Sequence, residues 1–347
     1  MNDTQTEARV RGAVARATGR DTSAEPVRRL AGHASLRSYW RVGRPPASLV
    51  VMVTSPGAKP EEVTKGGAPA VDPFVDVQRY LAGLGVRVPA IHAFEEHEGL
   101  MVLEDLGDEM LETRLLAGDP AGPLYERAID QLARLRAHAE ARPQGCLAFG
   151  RGFDRDLYRW ELDHFVEWGL EAWKGARLSP AEKAVVDREF DRIARALEAE
   201  PRGFTHRDYQ SRNLMVLPSG EQAVIDFQDA LLGPRQYDLV ALLRDSYVEL
   251  EPALVEAMLR RYLDRLHAEG GPRLEYEPFR AVFDVLTVQR KLKDAGRFVF
   301  IDRVKKNPGF LPSIPASLRY VRDAFARRPE LAGLEEILAR HVPELAR

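Results

Sequence analysis

The chain has 347 residues, of which 45% are hydrophobic and 30% are charged, a balance that is typical of folded globular proteins and excludes a disordered or fibrous class. The 50 basic and 53 acidic residues leave a net charge of −3, which offers no broad cationic surface to a nucleic acid. We therefore expect a globular protein that does not bind nucleic acid.

Three features predict a cytoplasmic location. Cys146 is the only cysteine, so no disulfide can form within the chain, and we interpret it as a packing residue rather than a nucleophile. The start of the chain lacks the apolar segment of a signal peptide. No apolar run approaches the ~20 residues that a membrane-spanning helix needs. We expect neither a membrane nor an obligate protein partner.

The first third of the chain is rich in predicted strands. Short runs of apolar residues bounded by turn-forming residues predict strands at 27–31, 38–42, 49–53, 91–95 and 100–104. Apolar residues at helical spacing predict a helix over 72–84, and the glycine- and proline-rich stretch before it predicts a loop. This part of the sequence indicates a small antiparallel β lobe.

The remainder is predicted to be mainly helical. Long amphipathic segments predict helices at 110–117, 123–140, 154–173, 180–199, 251–269 and 277–300. Short strands and polar loops interrupt them at 203–228. The sequence therefore predicts an α+β protein with a nucleotide-covering β lobe at 1–103, a hinge at 104–109 and a catalytic and acceptor-binding helical lobe at 110–347.

The strongest chemical signal is the stretch HRDYQSRN, residues 206–213, followed by an Asp-Phe pair that begins at Asp226. Phosphoryl transfer requires a carboxylate that orients the attacking hydroxyl, and oxygen ligands that hold Mg²⁺ against the nucleotide phosphates. Asp208 suits the first role, and Asn213 and Asp226 suit the second. The order H-R-D-x-x-x-x-N and then D-F-x is the pattern of a kinase catalytic loop.

A loop rich in Asp and Asn can also be a simple turn. Either fragment alone would leave that interpretation open, but the two in this order favour chemistry. We interpret His206 and Arg207 as residues that brace the loop. Asp238, near the start of a helix, is interpreted as a helix N-cap, with a hydrogen bond to the catalytic loop as the alternative. Asp229 either approaches the metal site or is an exposed turn carboxylate.

These residues resemble the aminoglycoside phosphotransferase and choline kinase superfamily. Within it they are most similar to the sugar 1-kinase family that phosphorylates N-acetylmuramate and N-acetylglucosamine at the anomeric hydroxyl during cell-wall recycling. The stretches that carry the resemblance are HRDYQSRNLM, VIDFQDALLGPRQYDLVALLRDSY, SLRSYWRV, LVVM, VLEDLG, VQRKLKDAGRF and PSIPASLRYVRD. The catalytic stretch is specific for a small-molecule kinase, and the late helix indicates the amino-sugar branch.

The resemblance implies a two-lobed protein-kinase-like fold with ATP in the cleft beneath the first lobe. It implies that Asp208 is the catalytic base and that Asn213 and Asp226 are the Mg²⁺ ligands. The adenine would be contacted by backbone groups of three successive hinge residues, Glu104, Asp105 and Leu106.

Two features depart from the general kinase pattern. The loop expected to cover the nucleotide, AGHASLRSYW, contains the single glycine Gly32 where many kinases have three. Met52 stands about where the lysine of V-A-I-K is expected, and members of the sugar 1-kinase family also tend to lack this lysine. Arg37 or Arg41 could supply the missing charge, although each one alone is interpreted as a solvated strand arginine.

The predicted helix 277–300 carries a basic face. Arg290, Lys293 and Arg297 share this face by helical spacing. For any one of them, a solvated basic residue is the simpler interpretation. As a cluster beside an acceptor cleft, they would repel a polycationic aminoglycoside and attract a carboxylate, such as the lactyl group of N-acetylmuramate. We predict that these three residues bind the acceptor.

The sequence thus predicts an ATP- and Mg²⁺-dependent kinase of a small molecule, and two alternatives remain open. An aminoglycoside or other small-alcohol phosphotransferase would use the same machinery. A non-catalytic pseudokinase is favoured by the missing lysine and opposed by the intact Asp208, Asn213 and Asp226. A protein kinase is disfavoured because the Asp-Phe pair at Asp226 is followed closely by Gly233, Pro234 and a helix. This spacing leaves no room for the long activation segment of a protein kinase.

Overall fold

The computed structural model of the chain describes residues 3–30, 37–54 and 71–346. Its first part contains a five-stranded antiparallel sheet with the strand order β1-β2-β3-β5-β4. The strands are β1 (Val27–Arg29), β2 (Arg37–Val42), β3 (Leu49–Thr54), β4 (Ile91–Glu95) and β5 (Leu100–Glu104). Strand β3 is central and pairs with both β2 and β5.

The two faces of the sheet pack against different partners. Helix α1 (Asp3–Thr18) covers the outer face, where the buried apolar residues are Val10, Ala13, Val14, Trp40, Val42, Leu49, Val51, Leu100 and Val102. The inner face carries Val50, Met52, Met101 and Leu103, which belong to the main hydrophobic core of the protein. Side chains that alternate along each strand produce this division.

The sequence pattern did not predict helix α1. Its buried stripe consists of Thr6, Val10, Ala13 and Val14, and most of these side chains are small. The stripe is therefore a weak periodic signal among charged and small residues. Packing on the outer face of the sheet stabilises this helix more than its own amphipathic character does.

The rest of the chain is mostly helical. Helix α2 (Pro73–Gly83) lies between β3 and β4 in the chain. After β5 come α3 (Leu111–Leu116), α4 (Ala121–Ala141), α5 (Arg155–His164), α6 (Pro180–Glu198), α7 (Gln236–Leu243), α8 (Pro252–Ala268), α9 (Tyr276–Lys305), α10 (Ile314–Arg327) and α11 (Ala332–His341). The sequence-based segments for α2, α3, α4, α6 and α8 agree with these bounds. Helix α9 extends one turn beyond its predicted end, and α10 and α11 are additional.

The predicted helix 154–173 is one helical element in two parts. Helix α5 continues as a π-helix from Phe165 to Trp173, and α9 packs along it. At Gly296 of α9, a Cβ atom would lie 2.9 Å from the Cα of Phe165. Glycine at this position therefore allows α9 to approach the element closely.

Two small antiparallel sheets hold the segment predicted to carry the chemistry. Strand β6 (Arg202–Thr205) pairs with β9 (Leu231–Pro234), and β7 (Leu214–Val216) pairs with β8 (Gln222–Val224). The register places Thr205 opposite Leu231 and Leu214 opposite Val224. The loop from β6 to β7 and the loop from β8 to β9 consequently start and end side by side.

The α+β architecture expected from the sequence is confirmed by the sheet and the helical remainder. The lobe bounds 1–103 and 110–347, with a hinge at 104–109, remain a prediction. Gly32 and the glycine- and proline-rich loop lie outside the described residues. Cys146 packs against the main core and burial raises its pKa to about 12, in agreement with a packing role. Within the described ranges, no helix combines the length and apolar character needed to cross a membrane.

Candidate active site

The two loops that start side by side carry the predicted catalytic residues. Arg207, directly before Asp208, has a φ angle of 81°, and Asp226 has a φ angle of 64°. Non-glycine residues rarely occupy this left-handed region, and those that do are concentrated at functional sites. The backbone is thus held in uncommon conformations where the candidate groups lie.

Asp238 fastens the catalytic loop to α7. Its carboxylate accepts hydrogen bonds from the backbone N–H of His206 at 2.8 Å and from that of Arg207 at 2.9 Å. The N-cap of α7 is Arg235, so the interpretation of Asp238 as an N-cap is wrong and the alternative, a bond to the catalytic loop, is observed. An Asp at the N-cap and one in the first turn look alike in a sequence. Leaving a buried N–H without an acceptor would cost about 1–3 kcal/mol.

His206 joins the two loops, and this contact agrees with the bracing role expected from the sequence. Its Nε2 lies 3.0 Å from the carbonyl oxygen of Ile225, and its Nδ1 accepts the N–H of Asp208 at 3.2 Å. Burial lowers the pKa of His206, which favours the neutral ring. A neutral imidazole with its proton on Nε2 satisfies both contacts.

Asp208 presents a carboxylate to solvent at the centre of the site. Its side chain is 38% exposed, and Oδ1 accepts a hydrogen bond from Nη2 of Arg290 at 2.9 Å. Burial acts to raise the pKa of Asp208, but the positive charges of Arg290, Lys293 and Arg207 outweigh it and hold the pKa below its usual range. The ionised carboxylate can therefore accept a hydrogen bond, and then a proton, from a hydroxyl group.

Asn213 and Asp226 both lie near Asp208. Nδ2 of Asn213 donates to the backbone oxygen of Asp208 at 2.8 Å, which leaves its amide oxygen as a ligand atom. Oδ1 of Asp226 accepts from Nε2 of Gln228 at 2.9 Å. Desolvation by the surrounding protein, together with the nearby charges of Asp208 and Asp229, raises the pKa of Asp226. Three carboxylates, those of Asp208, Asp226 and Asp229, therefore lie close together and give this part of the site an excess of negative charge.

A divalent cation would offset that excess. In the described part of the chain, no three His, Cys, Asp or Glu residues are grouped to form an all-protein metal site. Mg²⁺ usually takes only one or two carboxylates and completes its octahedral shell with water and nucleotide phosphates. The amide oxygen of Asn213 and the carboxylate of Asp226 are hard oxygen donors of this kind. The residues present thus fit Mg²⁺ in the company of a nucleotide.

The three predicted adenine-binding residues follow the end of β5. The carboxylate of Glu104 accepts from Nη1 of Arg87 at 2.8 Å, and that of Asp105 accepts from Nη2 of Arg41 at 2.8 Å. Both acidic side chains are therefore engaged within the protein. Among the described residues, the backbone N–H of Leu106 has no hydrogen-bond partner. The segment thus offers main-chain groups rather than side chains to a ligand.

The inner face of the sheet clarifies the departures from the kinase pattern. Met52 is 1% exposed and packs in the main core, as expected of a packing residue. Arg41 is also buried and forms an ion pair with Asp105, so its interpretation as a solvated strand arginine is wrong. The positive charge of Arg37 acts to lower the pKa of Asp226. Of the two arginines, Arg37 is therefore the one close enough to the candidate metal ligand Asp226 to affect its charge.

The three basic residues of α9 have different surroundings. Arg290 is 2% exposed and contacts Asp208, so a solvated basic residue does not describe it. Nζ of Lys293 lies 3.3 Å from Asp294. The guanidinium of Arg297 lies over the ring of Phe300, 4.9 Å from its centroid. Arg290 forms a hydrogen bond to the candidate catalytic residue, Asp208.

Sequence reasoning missed several polar residues around the loop. Glu161 of α5 is completely buried, accepts from Nε2 of Gln289 at 2.7 Å and lies 3.5 Å from Nη2 of Arg207. Asp245, at the end of α7, accepts hydrogen bonds from both the N–H and the hydroxyl of Ser211. A single carboxylate within the apolar stripe of α5 was the available signal for Glu161. Asp245 gave no comparable signal, because it follows the helix.

Comparison with known proteins supports the kinase interpretation. The model of the phosphotransferase enzyme family matches residues 26–279. The N-acetylmuramate/N-acetylglucosamine kinase of Pseudomonas aeruginosa is 38% identical over 307 residues, which cover 88% of this chain and 86% of the relative. This relative carries the amino-sugar kinase name that the late helix and the catalytic stretch indicate.

Solved structures support the protein-kinase-like fold. Choline kinase LicA from Streptococcus pneumoniae superimposes with a TM-score of 0.62 at 14% identity, covering 93% of this chain and 99% of LicA. The GDP complex of aminoglycoside 2′-phosphotransferase-IIIa gives a TM-score of 0.60 at 14% identity, covering 94% of this chain and 100% of that structure. At such low identity, the likeness concerns the fold alone.

Proposed function

The chain belongs to the phosphotransferase enzyme family, and from this membership we propose that it transfers the γ-phosphoryl group of ATP to the anomeric hydroxyl of N-acetylmuramate or N-acetylglucosamine. The observation that carries the chemistry is the convergence of Asp208, Asn213 and Asp226 from two adjacent loops. The choice of acceptor rests on the Pseudomonas aeruginosa kinase, whose similarity extends over 88% of this chain.

Asp208 acts on the acceptor in this proposal. Its carboxylate accepts a hydrogen bond from the anomeric hydroxyl, aligns the oxygen with the γ-phosphorus and takes the proton as the new oxygen–phosphorus bond forms. The bond between the γ-phosphorus and the bridging oxygen breaks, so the products are ADP and a sugar 1-phosphate. In a loose transition state, orientation of the hydroxyl contributes much of the effect.

Asn213 and Asp226 are proposed to hold Mg²⁺ beside Asp208. When bound, the ion neutralises charge on the nucleotide phosphates. The left-handed backbone of Asp226 and the hydrogen bond from Gln228 support this role. Desolvation and the negative charges of Asp208 and Asp229 raise the pKa of Asp226, and a cation at this position would offset those charges.

The adenine is proposed to contact the main chain at 104–106. The side chains of Glu104 and Asp105 are held by Arg87 and Arg41, so they do not compete with the backbone for the ligand. The N–H of Leu106, which has no partner among the described residues, suits a ring nitrogen of the adenine. These backbone contacts require no particular side chain, so the sequence gives little direct sign of them.

Lys293 and Arg297 are proposed to face the acceptor. Lys293 is close enough to Asp208 to lower the pKa of that carboxylate, and Arg297 lies two helical turns beyond Arg290 on the same face. Charge-assisted hydrogen bonds from these residues suit the lactyl carboxylate of N-acetylmuramate. A polycationic aminoglycoside would meet like charges here, which disfavours that alternative.

The proposal is tested by an acceptor panel with ATP and Mg²⁺, in which ³¹P NMR identifies the phosphorylated position. The panel contains N-acetylmuramate, N-acetylglucosamine, free hexoses, choline and kanamycin. We expect a 1-phosphate of an amino sugar and no useful transfer to kanamycin. Efficient transfer to kanamycin, or a 6-phosphate product, would refute the acceptor assignment and leave the kinase assignment intact. No transfer to any acceptor, with nucleotide binding retained, would favour the pseudokinase alternative.

A further inference from the structure

We infer that Arg290 is a positioning residue for Asp208: it holds one carboxylate oxygen so that the other faces the acceptor hydroxyl. The role of Arg290 follows from the role proposed for Asp208. It differs from acceptor binding, which the sequence pattern predicts for Arg290 together with Lys293 and Arg297.

The guanidinium of Arg290 bridges two parts of the catalytic loop. Nη2 donates to Oδ1 of Asp208 at 2.9 Å, and Nη1 donates to the backbone oxygen of Arg207 at 2.8 Å. One planar group thus fixes both the side chain of Asp208 and the peptide unit directly before it. Arg207 has a left-handed φ angle, a backbone conformation that a non-glycine residue keeps only when surrounding contacts hold it.

The surroundings of Arg290 hold its guanidinium in place. The side chain is 2% exposed, and its charge lies 4.9 Å from the centroid of the buried Tyr237 ring. Its Nε lies 4.0 Å from the carboxylate of Asp294. Arg290 belongs to the 30-residue helix α9, which packs against the α5 element at Gly296. The donor group is therefore rigid before any substrate arrives, and such rigidity is what a positioning residue requires.

Burial also argues against a direct role in acceptor binding. An acceptor carboxylate would have to reach a guanidinium that is hardly accessible to solvent and whose Nη1 and Nη2 already donate to Arg207 and Asp208. Breaking a buried charge pair leaves the other charge without compensation, which is strongly unfavourable. Lys293 and Arg297 are only partly buried, and 13% of the Lys293 side chain is exposed.

The proposed test measures kcat and KM for R290Q with N-acetylmuramate, N-acetylglucosamine and ATP. A correctly placed general base contributes ~10²–10⁴ in rate, and loss of its positioning should remove a part of this, about 10- to 100-fold in kcat. Both KM values for the sugars and the KM for ATP should stay within about twofold, because Arg290 contacts no substrate in this role. The matched control is R280Q, which removes another buried arginine of the same helix, paired with Glu256 and Asp284. R280Q should retain its kcat per folded molecule.

A double-mutant cycle with D208N separates positioning from independent effects. If Arg290 acts through Asp208, R290Q should lower kcat in the wild-type background and change it little in the D208N background. An equal loss in both backgrounds would overturn the inference. A rise in KM for N-acetylmuramate alone, with kcat unchanged, would also overturn the inference and would support the interpretation of Arg290 as an acceptor-binding residue. High activity of D208N by itself would instead refute the function proposed for Asp208.

R290K keeps the experiment informative if R290Q does not fold. Lysine retains the charge and can donate to Asp208, but it cannot reproduce the planar two-point contact. We expect a kcat between those of the wild type and R290Q, with unchanged KM values. A kcat of R290K that is no higher than that of R290Q, or a wild-type kcat in R290Q, would contradict the positioning role. If only R290K folds, the same double-mutant cycle is measured with R290K. The positioning role is supported if R290K lowers kcat in the wild-type background and does not change it in the D208N background. Any other result overturns the role.

Discussion

Arg41 and Asp105 form a buried two-point ion pair in which Nε of Arg41 lies 2.6 Å from Oδ2 of Asp105 and Nη2 lies 2.8 Å from Oδ1. The two side chains are 5% and 4% exposed. Arg41 belongs to β2, whereas Asp105 follows β5 and is flanked by the proposed adenine-binding backbone. The pair thus ties that backbone to the sheet.

Replacement of Arg41 by alanine should destabilise the protein strongly. Removing one partner of a buried pair leaves the other charge uncompensated and costs about 3–5 kcal/mol. Urea denaturation of the wild type and Arg41→Ala gives the difference in the free energy of unfolding. Arg16→Ala is the control, because Arg16 is 58% exposed in its pair with Glu95 and such pairs contribute at most about 1 kcal/mol. Equal costs for the two variants would show that the buried pair does not tie the two segments together.

Met52 should tolerate a change to leucine. The side chain is buried on the inner face of the sheet, opposite Met101 of β5. A volume-conserving substitution of this kind costs less than about 1.5 kcal/mol, and we expect the KM for ATP to remain unchanged. Met101→Leu serves as the cross-strand control in the same kinetic and unfolding measurements. Weaker ATP binding in Met52→Leu alone, with stability preserved, would mean that the nucleotide site needs the thioether.

Asp226→Ala should abolish the effect of Mg²⁺ on nucleotide binding. The variant loses the carboxylate proposed as a ligand, so the phosphates and Asn213 alone cannot hold the ion well. Isothermal titration with a non-hydrolysable ATP analogue, with and without Mg²⁺, measures this directly. Asp229→Ala is the control. Asp229 accepts a hydrogen bond from Nε2 of Gln228, as Asp226 does, but it is not a proposed ligand. If Mg²⁺ still strengthens binding to Asp226→Ala, the metal role of Asp226 is wrong.

Asp294 should stabilise the protein at neutral pH and lose this effect in acid. Burial acts to raise the pKa of Asp294, but Lys291, Lys293 and Arg290 hold it well below its usual range. Because the pKa is lower in the folded than in the unfolded chain, the contribution is complete above about pH 4 and declines as the pH falls below that value. The cost of Asp294→Asn, measured by urea denaturation, should therefore be greatest at pH 7 and smaller at pH 3. A cost that is constant over this range would exclude the ionised carboxylate as its source.

Local patterns allowed much of the fold and the core of the site to be predicted. Strand β4 and strand β5 have the bounds that their apolar runs predict, because each strand is short and flanked by turn-forming residues. The catalytic loop was recognisable because the spacing of Asp208, Asn213 and Asp226 follows from the chemistry of phosphoryl transfer. These features depend on residues that are close together in the chain.

Contacts between distant segments could not be predicted in the same way. Helical spacing placed Arg290 on the basic face of α9, but it could not show that this position packs against the catalytic loop. Alternation along β2 did not reveal that Arg41 is buried against Asp105. Asp238 was misinterpreted because the N–H groups that donate to its carboxylate lie in a distant segment of the chain, at His206 and Arg207. In each case, the tertiary partner decides the role of the side chain.

The kcat of Asp208→Asn with N-acetylmuramate, ATP and Mg²⁺ tests the central claim most directly. Asparagine keeps the size of the side chain but cannot accept the proton of the acceptor hydroxyl. Asp264→Asn, which removes an exposed carboxylate of α8, controls for the change of charge. We predict that Asp208→Asn lowers kcat by ~10²–10⁴ while ATP affinity stays within about twofold of the wild type. A variant that keeps more than about a tenth of the wild-type kcat would contradict the assignment of Asp208 as the group that receives the proton.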